Sequence, residues 1–80
     1  MSLKLVFLGR LETVAGGAER TVDPVATLVD LVAAFEPPLA GAVSGERVRV
    51  ALNGRLVIDR HAQPLRDGDE VAFLPPVSGG

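Results

Sequence analysis

The stretch that decides the fold stands at the C-terminus and reads Asp67-Gly68-Asp69-Glu70-Val71-Ala72-Phe73-Leu74-Pro75-Pro76-Val77-Ser78-Gly79-Gly80. Its first three residues are typical of a tight turn, because glycine accepts a positive φ and aspartate side chains bond to nearby backbone amides. Residues 71–74 are apolar at every position, which predicts a strand in the middle of a sheet. Pro75-Pro76 ends that strand, since proline has no donor for the ladder.

The residues after that strand predict an arm that presents the chain terminus. Glycine has no Cβ, so Gly79 and Gly80 would fit a channel too narrow for any side chain. Six residues from Pro75 onward reach roughly 20 Å when extended, far enough to enter another protein's active site. We therefore predict a domain over residues 1–74 and a flexible functional arm over residues 75–80. Taken alone, a terminal Gly-Gly also fits a frayed end or an expression scar.

The rest of the chain predicts one helix among short strands. Apolar residues recur at helical spacing between residues 28 and 36, with Thr27 as the N-cap and Pro37-Pro38 as the stop. Residues 39–45 are predicted to be a small-residue connection with room for one more helical turn. A further short turn of helix is expected around residues 10–14. The strands are predicted at residues 3–8, 19–22, 46–52, 55–58 and 71–74.

This order of elements predicts an α+β fold of the β-grasp (ubiquitin-like) type. A mixed sheet of about five strands would pack on one main helix, with the first and last strands parallel in the centre. Asn53-Gly54 is a strong two-residue hairpin signal between the third and fourth strands. Leu65 is expected to anchor the turn that precedes the last strand.

Composition narrows the class of protein. The chain has 80 residues, which fits one domain, and it has no cysteine, which fits a cytoplasmic protein without disulfides or thiolate metal sites. The formal net charge is −2 and no basic cluster is present, so we expect no nucleic-acid partner. No apolar run is long enough for a membrane span, and the N-terminus lacks the pattern of a signal peptide.

No catalytic constellation is visible in the sequence. His61 is the only histidine, and no nucleophile accompanies it in a recognisable pattern. The spacing of Asp59, Asp67, Asp69 and Glu70 does not match a calcium loop, and turn formation explains two of these residues. We therefore expect no metal or cofactor on this chain, and no catalysis by the chain alone.

The C-terminal run resembles that of one protein family. From Asp67 to Gly80 the chain looks like the end of the small subunit of molybdopterin synthase, the MoaD family, whose members typically read D-G-D-E-V-A, two hydrophobic residues, then P-P-V-[ST]-G-G. The opening strand Leu3–Leu8 and the chain length are similar as well. Related thiamine-pathway carriers, such as ThiS, share the turn and the Gly-Gly end but usually lack the Pro-Pro-Val-Ser step.

This resemblance implies a sulfur carrier with an active chain end. An E1-like adenylating enzyme (MoeB-like) would use ATP to convert the Gly80 carboxylate to an acyl-adenylate, and a sulfur donor would displace AMP to leave a thiocarboxylate. The large catalytic subunit (MoaE-like) would then let that sulfur attack a pterin precursor. The resemblance gives Gly80 the sulfur and Gly79 the narrow access. The residues that would set and guide the arm are Pro75, Pro76, Val77 and Ser78.

A carrier of this kind also needs a surface that binds its partners. On the strand face that should point away from the core, Val6 and Leu8 would lie beside Ala72 and Leu74 and lead into Pro75. We predict that these four residues form an apolar partner-binding patch at the base of the arm. A covering loop, or the opposite strand parity, would remove this patch.

Three other functions fit parts of the sequence. A ubiquitin-like protein modifier would use the same activated Gly80 to form isopeptide bonds with lysines. A sulfur carrier for thiamine or another pathway would share the chemistry but not the acceptor. A non-catalytic β-grasp binding module of the TGS type would explain Leu65 to Val71 but gives Gly79-Gly80 no role.

Overall fold

A computed structural model describes residues 1–76, and its sheet is built around the last strand. The elements, in chain order, are β1 (Leu3–Phe7), α1 (Arg10–Ala15), β2 (Glu19–Val22), α2 (Leu28–Ala33), α3 (Pro37–Val43), β3 (Arg49–Leu52), β4 (Arg55–Leu56) and β5 (Glu70–Leu74). The strand order is β2-β1-β5-β3-β4, with β1 parallel to β5 and the other neighbours antiparallel. The predicted α+β fold with a central parallel pair is confirmed.

Alternation along the two central strands divides the sheet into a core face and an outer face. Leu3, Leu5 and Phe7 of β1 are fully buried, as are Val71 and Phe73 of β5. The register places Leu5 beside Val71 and Phe7 beside Phe73, so like faces coincide across the pair. The predicted parity of both strands is therefore correct.

The three phenylalanines form the centre of the core. The rings of Phe7 and Phe73 stack with centroids 5.3 Å apart and an angle of 8° between their planes. Phe35, just after α2, meets the ring of Phe73 edge-on at 5.8 Å and that of Phe7 at 6.0 Å. Such aromatic pairs contribute about 0.5–1.5 kcal/mol each beyond burial of their area. These contacts join the helical layer to the centre of the sheet.

The helical layer differs from the single main helix of the prediction. Helix α2 begins where expected, with the Thr27 hydroxyl accepting a hydrogen bond from the Asp30 amide at 3.1 Å. It ends at Ala33, however, and Pro37-Pro38 does not act as a stop but opens α3. Proline is favoured in the first turn of a helix because that turn has no partner for its amide. The predicted connection at residues 39–45 is therefore mostly helix.

Three strands are shorter than predicted, and one of them is β1, which was expected over residues 3–8 and ends at Phe7. Strand β3 was expected from residue 46 but begins at Arg49, because the Val48 amide donates to Gly45 O at 3.1 Å and closes a turn. Strand β4 was expected to reach residue 58 but ends at Leu56. Beyond it, the Asp59 carboxylate accepts bonds from the amides of His61 and Ala62, which closes a local turn.

Arg60 connects the long loop before β5 to the helical layer. Its guanidinium donates to the carbonyls of Val43 at 2.5 Å and Val48 at 3.2 Å, one at the end of α3 and one just before β3. These carbonyls lack partners within their own elements, so a fixed donor with several N–H groups suits them.

Two turns, distant in the sequence, are bonded to each other. The Asn53 side chain donates to Asp69 Oδ1 and accepts from the Glu70 amide, both at 2.9 Å. The hydrogen bond from Asn53 and a second from the Arg66 amide lower the pKa of Asp69. The predicted turn residues have the expected backbone, with φ of 50° at Asn53, 85° at Gly54 and 88° at Gly68. The β3–β4 hairpin is thereby joined to the turn that starts β5.

Arg20 and Glu36 form an ion pair between β2 and the start of α3. Two parallel hydrogen bonds of 3.0 Å join the guanidinium to the two carboxylate oxygens. The same guanidinium lies 5.8 Å from the ring centroids of both Phe7 and Phe35. The hydrogen bond from Arg20, together with one from the residue's own backbone, lowers the pKa of Glu36 from 4.5 to about 2.

Replacing Glu36 with glutamine should flatten the acid dependence of stability. A carboxyl group whose pKa is lower in the folded chain contributes stability above its ordinary pKa and loses it as the pH falls towards the folded value. We expect the free energy of unfolding to fall more steeply for the wild type than for Glu36→Gln between pH 4.5 and about 2. Urea unfolding at several pH values measures this slope. Glu12→Gln, which removes a carboxylate that forms no ion pair within residues 1–76, should follow the wild type.

Substitutions at Asn53 should separate the side-chain bonds from the backbone conformation. Asn53→Gly keeps the positive φ but loses both side-chain bonds, which should cost about 1 kcal/mol of unfolding free energy. Asn53→Ala loses the same bonds and keeps the Cβ in the left-handed region, without the short polar side chain by which asparagine tolerates that region, so it should be about 1 kcal/mol less stable than Asn53→Gly. Denaturant titration measures both values. Equal stability of the two variants would show that the turn relaxes without strain.

Candidate functional site

The chain leaves the sheet at Pro75, beside the end of β1. The Leu8 amide donates to Phe73 O at 3.1 Å, and this bond lies at the far end of the β1–β5 pair. Pro75 is half-buried and Pro76 is exposed. A Cβ added to Gly9, whose φ is 57°, would lie only 2.8 Å from Pro75 Cγ. The absence of a side chain at Gly9 therefore makes room for the Pro75 ring, and the body of the domain supports the base of the arm.

The predicted working end of the arm lies outside the described residues. Val77, Ser78, Gly79 and Gly80 follow residue 76, where the description ends. Their assigned roles stay predictions from the sequence. The structure describes the base of the arm. It consists of β5, which is hydrogen-bonded to a strand on each side, followed by Pro75 and Pro76, which have no backbone donors.

The predicted apolar patch lies on the outer face of the sheet. Val6 pairs directly with Ala72, and both are partly exposed, as is Leu74. Leu8, just after β1, exposes 42% of its side chain. These four residues, Val6, Leu8, Ala72 and Leu74, form the outer patch, and no described element covers them from the solvent side.

Two further residues extend the outer patch across the sheet. Ala51 pairs with Ala72 on one side and with Leu56 on the other, and Leu56 exposes 64% of its surface. This extension was not predicted from the sequence. Alternation within β3 would have indicated Ala51, which directly follows buried Val50, and Leu56 lies on the same face because it pairs with Ala51.

Lys4 marks the polar end of the outer face. Its ammonium lies 3.7 Å from the Glu19 carboxylate and 3.8 Å from that of Glu70. These exposed ion pairs lie at the start of β5, whereas the outer patch lies towards its end and the arm. The outer face is therefore charged where β5 starts, and it carries the outer patch where the chain leaves the sheet, with exposed Arg49 beside Leu74.

The described residues hold no visible machinery for covalent catalysis. His61 is exposed, and its backbone amide bonds to Asp59 within a turn. Within residues 1–76 no group of three or more histidine, cysteine or acidic side chains is arranged to hold a metal ion. In the same part of the chain, no helix has the length and hydrophobicity of a membrane span.

Two known proteins that align with nearly the whole chain carry the same name. The chain is 35% identical to the "Molybdopterin synthase sulfur carrier subunit" of Chlamydomonas reinhardtii over 85 residues, and both chains are covered completely. It is 37% identical to the subunit of the same name from Escherichia coli (strain K12), with 98% of this chain and 99% of the relative covered.

Solved structures resemble the fold along its whole length. One is SAMP1 from Haloferax volcanii, with a TM-score of 0.79, 30% identity and complete coverage of both chains. Another belongs to a complex of subunits 1 and 2 of the molybdopterin-converting factor from Helicobacter pylori 26695, with a TM-score of 0.73, 27% identity and complete coverage of both chains. The model of the ThiS family matches residues 5–80, which is nearly the whole sequence. The chain therefore belongs to the ThiS family.

Proposed function

We propose that this chain is the sulfur-carrier subunit of a molybdopterin synthase. The observation that carries the proposal is the placement of the Pro-Pro-Val-Ser-Gly-Gly end directly after the central strand of the sheet. The two curated relatives with this name support it, and they align with essentially the whole chain. In this proposal the domain over residues 1–74 binds the partners, and Gly80 carries the reactive group.

The chemistry at Gly80 follows from the state of a free carboxylate. At neutral pH the terminal carboxyl group is ionised and is a poor electrophile. An adenylating partner would let a carboxylate oxygen attack the α-phosphorus of ATP, so that pyrophosphate leaves and an acyl-adenylate forms. A hydrosulfide ion supplied by the sulfur donor then adds to the acyl carbon, AMP departs with the bonding electron pair, and the sulfur loses its proton. The product is a thiocarboxylate at Gly80, and ATP belongs to the partner.

The second partner would be the large subunit of the synthase. The Helicobacter pylori relative was solved in a complex of subunits 1 and 2, which supports such an assembly for this chain. The arm would enter the active site of the large subunit and present its sulfur to a pterin precursor. Residues that handle the pterin would lie on that subunit, and Val77, Ser78 and Gly79 would line up the arm.

The outer patch is the surface that would contact the large subunit. Two of its residues, Ala72 and Leu74, lie on the strand that continues into the arm, and the patch is partly exposed without a covering element among the described residues. Contact there would exclude water from Val6 and Ala72 and fix the direction in which Pro75 leaves the domain. Its closeness to the arm means that docking and insertion would occur together.

A protein-modifier function remains the second candidate, because of the likeness to SAMP1 from Haloferax volcanii. SAMP1 of that organism is named a small archaeal modifier protein in another solved structure. Such a function would use the same acyl-adenylate but transfer Gly80 to a lysine amine. A thiamine-pathway carrier would differ only in the acceptor of the sulfur.

Intact-mass measurement tests the carrier chemistry. The chain is incubated with ATP, a sulfur source and the adenylating enzyme of its host, and we expect a mass gain equal to the exchange of one oxygen for sulfur. Peptide mapping should place the gain at Gly80, and a chain that lacks Gly80 should show none. Unchanged mass, with an adenylating enzyme proven active on a known carrier, would contradict the proposal. Conjugates to lysines of other proteins would favour the modifier instead.

Charge placed in the outer patch should weaken binding to the large subunit. Leu8→Asp buries a carboxylate in the contact and should raise the Kd about thirtyfold or more, as for other central interface positions. Ile58→Asp is the matched control, since Ile58 is fully exposed and lies outside the patch. Calorimetry measures both affinities, and thermal melting checks that both variants fold. Equal loss of affinity in the two variants would contradict a patch-specific contact.

A further inference from the structure

Three arginines surround the point where the arm leaves the domain. Arg49 of β3 pairs directly with Leu74, the last residue of β5. Arg47 lines a groove of about 400 Å³ together with Pro75 and Pro76, and Arg10 lines the same groove from the start of α1. We call these three residues, Arg10, Arg47 and Arg49, the basic collar.

The collar has no visible role in holding the fold. All three side chains are exposed, and none forms an ion pair or a side-chain hydrogen bond with another residue in the range 1–76. Arg20 and Arg60 differ from the collar residues, because both are partly buried and each donates several hydrogen bonds. One carboxylate, that of Glu46, lines the groove beside the collar.

Acidic residues gather at the opposite end of the central strand. Asp67, Asp69 and Glu70 lie in or directly after the turn that leads into β5. The chain as a whole has a formal net charge of −2, so the collar is a local positive region on a negative molecule. A charge distribution of this kind orients a protein as it approaches a charged partner.

The collar and the terminal carboxylate act on a partner at different depths. Residues 77–80 reach roughly 13 Å when extended. That length slightly exceeds the Debye length of about 10 Å at 0.1 M salt. When the arm is inserted, the positive potential of the collar therefore acts mainly on residues at the entrance of the partner's channel, and Gly80 reaches the interior of that channel.

We propose that the basic collar docks against an acidic rim at the mouth of the nucleotide-binding channel of the adenylating enzyme. The inference rests on the proposed function, because it needs an enzyme that activates Gly80. The adenylation step brings an anionic chain end to the anionic phosphates of ATP, and both the chain and its arm are negative. Attraction between the collar and an acidic rim offsets this repulsion during approach. The collar thereby selects the adenylating partner by charge, and the outer patch serves the contact with the large subunit.

Matched charge reversals test the collar. Arg10→Glu with Arg47→Glu changes the two collar residues that line the groove and leaves Arg49, which pairs with Leu74 of the outer patch, unchanged. Arg55→Glu with Arg66→Glu changes two exposed arginines towards the opposite end of β5. Both double variants carry the same net charge, since each replacement lowers it by two. The readout is the kcat/KM of the adenylating enzyme for the chain in ATP–pyrophosphate exchange. It is measured at low and at high salt.

We expect the collar variant to lose about tenfold in kcat/KM at low salt, within the range of electrostatic steering. The difference should shrink at high salt, and kcat at saturating chain should stay unchanged. The control variant should stay within about twofold of the wild type under the same conditions. Both variants should melt cooperatively and bind the large subunit as the wild type does.

Several outcomes would contradict the proposed role of the collar. Equal losses in the two double variants would show an effect of net charge alone, and a loss that persists at high salt would show a packing defect. Weaker binding to the large subunit with normal exchange would show that the collar contacts the large subunit and not the adenylating enzyme. Normal exchange by the collar variant removes this inference but leaves the proposed function intact. No exchange by the wild type removes both.

Discussion

The parallel pairing of β1 with β5 is the constraint on which the rest of the molecule depends. It brings the first and last strands into the centre of the sheet, where the rings of Phe7 and Phe73 stack at 5.3 Å. Parallel neighbours need a long crossover, and here the crossover supplies the whole helical layer and the β3–β4 hairpin. Because β5 joins the β2–β1 pair to the β3–β4 pair, the five-stranded sheet is continuous only when the C-terminal strand is in place.

This constraint also explains how binding and chemistry are divided. The core face of β5 holds Val71 and Phe73, while its outer face holds Ala72 and Leu74 and continues into Pro75. One strand therefore carries the core, the docking surface and the base of the arm. The described part of the chain offers a surface and a direction but no catalytic group, which suits a carrier whose reactions take place on its partners.

Much of this arrangement could be predicted from the sequence, because it depends on local patterns. Period-two alternation gave the faces of β1 and β5, and the turn chemistry of Asn53-Gly54 and Gly68 gave the strand ends. The start of α3 was missed because proline both ends and opens helices, and only the packing of Leu39 and Val43 into the core decides between these roles. The bonds from Arg20 to Glu36, from Arg60 to Val48 and from Asn53 to Asp69 join residues at least twelve positions apart. No local pattern encodes such a separation.

The position of the arm has a mechanical consequence. A partner that grips residues 77–80 and withdraws would pull along the axis of β5, which is hydrogen-bonded to β1 on one side and β3 on the other. Ladder bonds lie across that axis, so the load is shared by all of them in shear and does not open them one at a time. The arm can therefore be withdrawn from a deep channel repeatedly without separating the strands of the sheet. A carrier that shuttles between enzymes needs this durability, and an arm attached to an edge strand would not have it.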